Sequence, residues 1–340
     1  MDAKPAIRVL LIDDSAGARA HLKWLIEATE DLELIAECEN NTSAITLVEQ
    51  LKPDVICIDL DRPLTQGLNL IESIMHRKAF PILALLHEDE PEIATAAIQQ
   101  GALDAVRKPR TNANNSAVFL ERIRLISGVS VVTRFKHKKR LDMTAGQYNL
   151  PFKHVVAIVC STGGPQALSY VLDQLPASFA APILISQHMS DGFAEGMVRW
   201  LASVSRLPIK LAEHGEQIRA QQVYLSPSER HMTLDAEFRI CLLERSTEDI
   251  YRPCCNYLLE SVAQHCADRT IALIMTGMGR DGVRGMRQVK DAGGITLAQD
   301  EASSIIFGMN QEAIRQQSID EVIALDRLPK RLQQLVMGSG

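Results

Sequence analysis

The chain is predicted to fold as two doubly wound parallel-sheet α/β domains joined by a linker, and three observations predict this. Short β-branched runs alternate with longer segments of helical period, first over residues 6–126 and again over 152–337. Between them, over 127–151, the alternation fails. The length of 340 residues suits two domains of roughly 100–200 residues, each able to bury its own core.

In the first half the strands are expected at 7–12 (IRVLLI), 32–37, 54–59 (DVICID), 81–86 (PILALL) and 104–108. The intervening segments carry apolar residues at three- and four-residue spacing, such as Leu22, Leu25 and Ile26, which marks amphipathic helices. TNANNS (111–116) is turn chemistry and VFLERIRLI (118–126) reads as a last helix. Residues 127–151 hold the basic cluster Arg134, Lys136, Lys138, Lys139 and Arg140 without sustained period, and read as an extended, solvated tether. The second alternation places strands at 154–159, 182–187, 208–213, 223–226, 239–244, 271–276 and 295–299. Leu168, Val171, Leu172 and Leu175 line one helical face between the first two of them.

Composition excludes several classes. A formal charge of −6 gives no electrostatic footprint for nucleic acid. No apolar run reaches the roughly 18 residues of a membrane span. The start MDAKPAIRVLLIDD lacks the pattern of a secretory signal, so a cytoplasmic location is expected. The seven cysteines are odd in number and lack CxxC pairing, which argues against a disulfide framework or a zinc knuckle.

The first half carries phosphoryl-acceptor chemistry. Asp13 and Asp14 follow the first strand, Asp59 ends the third, and Lys108 follows the fifth. Carboxyl ends of parallel strands converge on one crevice, so these groups are expected to meet there. Clustered carboxylates suit Mg²⁺, Asp59 can act as a carboxylate nucleophile, and Lys108 can balance incoming charge. On these residues, together with Asp59-Leu-Asp-Arg-Pro63-Leu-Thr-Gln-Gly67, Gly101-Ala102 and Lys108-Pro109, residues 6–126 resemble a two-component response-regulator receiver of flavodoxin-like fold. The resemblance implies phosphorylation of Asp59, a metal site at Asp13, Asp14 and Asp59, phosphate contact by Lys108, and a histidine kinase as phosphodonor. Two positions depart from it. Leu86 stands where the family has Ser or Thr, and Ala105 stands where it has a switch aromatic. Neither can hydrogen-bond a phosphoryl oxygen or swing a ring inward, so coupling of phosphorylation to shape change is expected to be weak.

The second half carries nucleophile chemistry. A buried strand runs into Ser161-Thr162-Gly163-Gly164-Pro165 and then a helix. Pro suits a helix start, and the glycines let N–H groups at the positive helix end face a ligand. The turn alone fits an exposed serine nucleophile or a phosphate-binding loop equally well. His188 after the strand 182–187, and Asp281 in a Gly-flanked loop after 271–276, favour the nucleophile: a base to take the serine proton and an acid to orient it.

These motifs, with Gln187-His188-Met189, His231-Met232, Thr276-Gly-Met-Gly-Arg-Asp-Gly282, Ala298-Gln-Asp-Glu-Ala-Ser303 and Phe307-Gly-Met309, make residues 152–337 similar to the Rossmann-like catalytic domain of the chemotaxis protein-glutamate methylesterases, the CheB family. The resemblance implies Ser161 as nucleophile, His188 as general base and acid, and Asp281 as orienting carboxylate. Thr162, Met278, Gly163 and Gly164 are the implied oxyanion and active-site support. Methylated chemoreceptors are the implied substrate, glutamine deamidation is a possible second reaction, and no cofactor is implied for ester hydrolysis. The run Arg252-Pro253-Cys254-Cys255-Asn256 departs from the family's Arg-Pro-Ser-Val-Asp; its thiols are expected to pack as small apolar groups. His231 is expected to be structural or to touch substrate. Two other readings stay open: a catalytically silent, receiver-linked binding protein, and a nucleotide binder resting on the Gly-rich turn alone, without a lysine in Walker spacing.

Overall fold

The computed structural model describes residues 5–39, 42–60, 64–87, 90–109, 116–127, 152–246, 249 and 251–338. Residues 61–63 of the run after Asp59, most of the turn at 111–116 and the tether from 128 to 151 lie outside these. The chain divides into two units, Met1–Phe135 and Lys136–Gly340.

The first unit runs β1 (Ile7–Ile12), α1 (Ala16–Glu27), β2 (Leu32–Cys38), α2 (Thr42–Leu51), β3 (Val55–Asp59), α3 (Leu64–Arg77), β4 (Ile82–Leu86), α4 (Pro91–Gln100), β5 (Asp104–Arg107) and α5 (Ser116–Ile126). Its sheet has the order β2-β1-β3-β4-β5 with every pair parallel. β3 and β4 are buried at every residue, as continuous apolar runs covered on both faces must be. Helix boundaries have local causes: the Ser15 hydroxyl accepts the Ala18 N–H at 3.3 Å, and Gly101 closes α4 at φ +115°.

The second unit runs β6 (Val155–Cys160), α6 (Gly164–Gln174), β7 (Ile183–Gln187), α7 (Ala194–Val204), β8 (Ile209–Leu211), β9 (Val223–Leu225), β10 (Arg230–Leu234), β11 (Ile240–Glu244), α8 (Cys255–Cys266), β12 (Thr270–Ile274), α9 (Val283–Asp291), β13 (Ile295–Gln299), α10 (Met309–Arg315), β14 (Glu321–Ile323) and α11 (Leu328–Met337). Seven strands form a parallel sheet in the order β14-β13-β12-β6-β7-β9-β8. Alternate residues of β6 feed separate cores on the two faces, Val156, Ile158 and Cys160 into one and Val155, Ala157 and Val159 into the other. The period-2 geometry of a strand buried on both sides requires this division.

The two-domain parallel architecture agrees with the sequence expectation, and the differences are local. The segment at 239–244 lies outside the parallel sheet; it forms an antiparallel hairpin with β10, which the sequence reading did not assign. The three-residue edge strand β14 also went unassigned. No helix among the described residues is long and apolar enough to cross a membrane.

Candidate active site and phosphoryl-acceptor site

The adjacent strands β12, β6 and β7 deliver the three candidate groups of the second unit to one edge of the sheet. β6 and β7 pair with Cys160 opposite Gln187, and the His188 N–H donates to the Cys160 carbonyl at 3.1 Å. Ser161 and His188 are therefore the next residues out on neighbouring strands. On the other side the Ser161 N–H donates to the Thr276 carbonyl at 3.0 Å, and the Thr276 hydroxyl donates to the Thr162 carbonyl at 2.9 Å. Gly277 rests against the serine so closely that a Cβ there would meet Ser161 Cβ at 2.7 Å and Met309 Sδ at 2.5 Å. Gly163 takes φ +78°, and a Cβ on it would meet Ile305 at 2.6 Å. The Gln187 side chain, fully buried, donates to the Ser161 carbonyl at 2.9 Å and so braces the turn from beneath.

Asp281 is the electrostatic centre. Its carboxylate is buried and accepts from His188 Nε2 at 2.7 Å, from the Cys255, Asn256 and Gly282 amides at 2.6, 3.0 and 2.9 Å, and from Cys254 Sγ at 3.2 Å. Cys255 and Asn256 open α8, so the unpaired N–H groups and positive end of that helix point at the negative charge. Burial alone raises the carboxyl pKa, but the His188 hydrogen bond and charge and these amides outweigh it and hold the group below its ordinary value of 3.8. An ionised carboxylate only accepts, so Nε2 carries the proton shared with Asp281 and Nδ1 keeps the lone pair. The imidazole also stacks on Tyr251, with centroids 5.1 Å apart and planes 14° from parallel. Ser161 and Thr162 are nearly buried, whereas Met278 is 46% exposed at the rim. Among the described residues, the Thr162 and Met278 amides make no hydrogen bond within the chain. Such an arrangement can abstract a hydroxyl proton through a charge-stabilised imidazole and offer backbone N–H groups to a developing oxyanion.

Tyr251 was not singled out from sequence and supports the imidazole, while Gln187, the residue before His188, supports the serine turn. His231 is buried, with Nδ1 accepting the Cys254 N–H at 2.9 Å and Nε2 bonded to Asp249 at 3.0 Å, so it anchors the loop that cradles Asp281. Cys255 is fully buried, as expected of a packed thiol, yet its Sγ also lies 3.4 Å from His188 Nε2.

In the first unit Asp13, Asp59 and Lys108 meet where β1, β3 and β5 end. Lys108 Nζ lies 2.9 Å from Asp13 Oδ2 and also pairs with Asp59 Oδ1; all three groups are buried, and Asp14 beside them is exposed. Burial opposes the lysine charge, but the two carboxylates outweigh it and raise the Lys108 pKa. Leu86 is buried next to this cluster, its carbonyl accepting the Lys108 N–H at 2.7 Å, and Ala105 is buried in β5. Converging carboxylate oxygens at one strand edge form the donor set a hard divalent cation takes, so the residues fit Mg²⁺.

Fold and site together define a receiver coupled to an α/β effector domain with a Ser-His-Asp edge. The response regulator receiver domain matches residues 9–117 and the CheB methylesterase family matches residues 156–332. The chain belongs to the CheB methylesterase family, in the form that carries a receiver domain. It is 40% identical to "Protein-glutamate methylesterase/protein-glutamine glutaminase 3" of Paramagnetospirillum magneticum, over 100% of this chain and 99% of that one. The corresponding Thermotoga maritima protein is 33% identical over 97% of this chain and 98% of its own. The crystal structure of the Thermotoga maritima CheB methylesterase catalytic domain is 35% identical with a TM-score of 0.52, covering 54% of this chain and 98% of that domain.

Proposed function

We propose that residues 152–337 hydrolyse glutamate γ-methyl esters on chemoreceptors through Ser161, His188 and Asp281, and that the receiver of residues 6–126 governs or docks them through the linker 127–151. The observation that carries this reading is the 2.7 Å contact between His188 Nε2 and the ionised Asp281, one strand away from Ser161. His188 Nδ1 takes the Ser161 proton as Oγ attacks the ester carbonyl; the oxyanion is met by the Thr162 and Met278 amides, with Gly163 and Gly164 letting the turn pack against Ile305 and Gln187. His188 then protonates the departing methanol. Water, activated by the same imidazole, releases the glutamate and restores the serine. In this reading the acid holds Nε2 and the base works through Nδ1, the reverse of the serine-protease assignment; such a triad is recognised by roles and not by which ring nitrogen serves. The same steps on a γ-amide release ammonia, which supports glutamine deamidation as a second activity.

In the receiver, Asp59 accepts phosphate from a histidine kinase and Lys108 meets its charge. Asp13, Asp14 and Asp59 would hold Mg²⁺, which when bound neutralises the incoming phosphoryl oxygens. The setting is cytoplasmic, where receptor tails and kinase are accessible.

Rapid quenching of the intact chain with methylated receptor tests the covalent step. Mass spectrometry is expected to find a receptor-derived acyl group on Ser161 and none on the Ser161→Ala variant. An acyl group elsewhere, or turnover without one, would overturn the assignment.

A further inference from the structure

We propose that the base of this active site is also an inhibitory site for a thiophilic divalent cation of the Zn²⁺ type, formed by His188 Nε2, Cys255 Sγ and Asp281. The inference rests on the esterase reading for its consequence, though not for its chemistry. His188, Cys255 and Asp281 offer ligand atoms that all lie within 4.8 Å of one another, and three protein ligands leave the fourth tetrahedral position to solvent. Cys255, the first residue of α8, thus puts one sulfur beside the imidazole–carboxylate pair.

The distances suit this ion. With Zn–N near 2.0–2.1 Å and Zn–S near 2.3 Å, the 3.4 Å separation of His188 Nε2 and Cys255 Sγ corresponds to an N–Zn–S angle of about 100°, close to tetrahedral. The 2.7 Å separation of Nε2 and Asp281 Oδ2 must widen by roughly 0.6 Å for both to ligate at that angle. The ion therefore takes the place of the shared proton and dissolves the hydrogen bond the triad needs. Imidazole and thiolate donors select Zn²⁺ over Mg²⁺, so the acceptor cluster of the receiver, all oxygen and lysine, does not compete for it under signalling conditions.

The proton balance explains the inhibition. Coordination uses the lone pair of Nε2, so the proton formerly on Nε2 moves through solvent to Nδ1, the nitrogen that must accept the Ser161 proton. The coordinating Cys255 thiol releases one proton to solvent. The bound form is a neutral imidazole of the wrong tautomer, with its acid diverted to the metal.

The test uses the intact chain with Mg²⁺ present throughout. Cd²⁺ is titrated as an optical stand-in, since Cd–thiolate bonds absorb in the near ultraviolet, and Zn²⁺ is titrated against methanol release. Expected are a saturable thiolate band and full Zn²⁺ inhibition, with both midpoints shifted at least tenfold to higher metal in Cys255→Val, each variant being compared with its own metal-free rate. Cys255→Ala repeats the comparison in case the valine packs badly. No thiolate band with an active enzyme, or a band and inhibition unchanged in the Cys255 variants, would overturn the site. A band lost in Cys255→Val from a chain that releases no methanol would instead retain the metal site and defeat the esterase reading.

Discussion

Asp281 gathers five donors onto one buried carboxylate, and its role follows from that crowding. Three are backbone amides, fixed by the start of α8 and of α9, so the charge stays in place whatever the imidazole does. Replacing it by Asn keeps the shape but presents an amide N–H or a neutral oxygen to His188 and disturbs the tautomer. Asp281→Asn is expected to lower kcat for methanol release by about 10⁴-fold, by analogy with the same change in a serine-protease triad. Because folding depresses this carboxyl below 3.8, its stabilisation is present above that pH and is lost as pH falls through the lower folded value. The stability gap between wild type and Asp281→Asn, read from denaturant midpoints, should therefore shrink only at pH below 3.8; a gap that closes between pH 7 and 5 contradicts the assignment. At this scale Ser161, His188 and Asp281 were legible because each follows a strand-forming run. Tyr251 was not; His231, Cys254 and Cys255 could be singled out, but their partners could not, since those contacts join residues 18 to 67 positions apart and leave no local pattern.

Among the elements, the parallel strands could be read from short apolar runs, and their order decides function. β12, β6 and β7 are neighbours, so three loops distant in sequence share one edge. The β10–β11 hairpin was missed on one side because Arg230-His-Met-Thr-Leu234 mixes a buried His into the pattern, and that His is used as a bracket for the Asp281 loop. The loop after β12 works by close approach, with Gly277 pressed on the serine. Gly277→Ala must push Ser161 or Met309 aside. A displacement approaching 1 Å costs on the order of 10²-fold in rate, so kcat should fall by about that factor with the far-ultraviolet circular dichroism unchanged. An alanine variant with full activity would mean that the turn is looser than its contacts require.

At the scale of the whole molecule, a receiver and an esterase domain are joined in one chain, and each brings polar groups together at its own sheet edge. The receiver keeps its acids and lysine, while Leu86 and Ala105 fill with hydrocarbon the two positions that would sense the phosphoryl group. The buried Leu86 carbonyl is already engaged by the Lys108 N–H, and its side chain offers no donor. A small-molecule phosphodonor with Mg²⁺ is expected to modify Asp59 yet change methanol release by no more than severalfold. A large stimulation that disappears in Asp59→Asn would refute the weak coupling. Both departures could be read from sequence, since they are single residues at strand positions that periodicity locates.

The central claim is that the hydroxyl of Ser161 does the chemistry, and methanol release from methylated receptor membranes tests it most directly. Wild type and Ser161→Ala are compared at equal concentration, with matched thermal unfolding as evidence that the variant is folded. The account predicts a loss on the order of 10⁶-fold, the scale seen when a serine hydrolase loses its nucleophile. Methanol released by the alanine variant at the wild-type rate would contradict it.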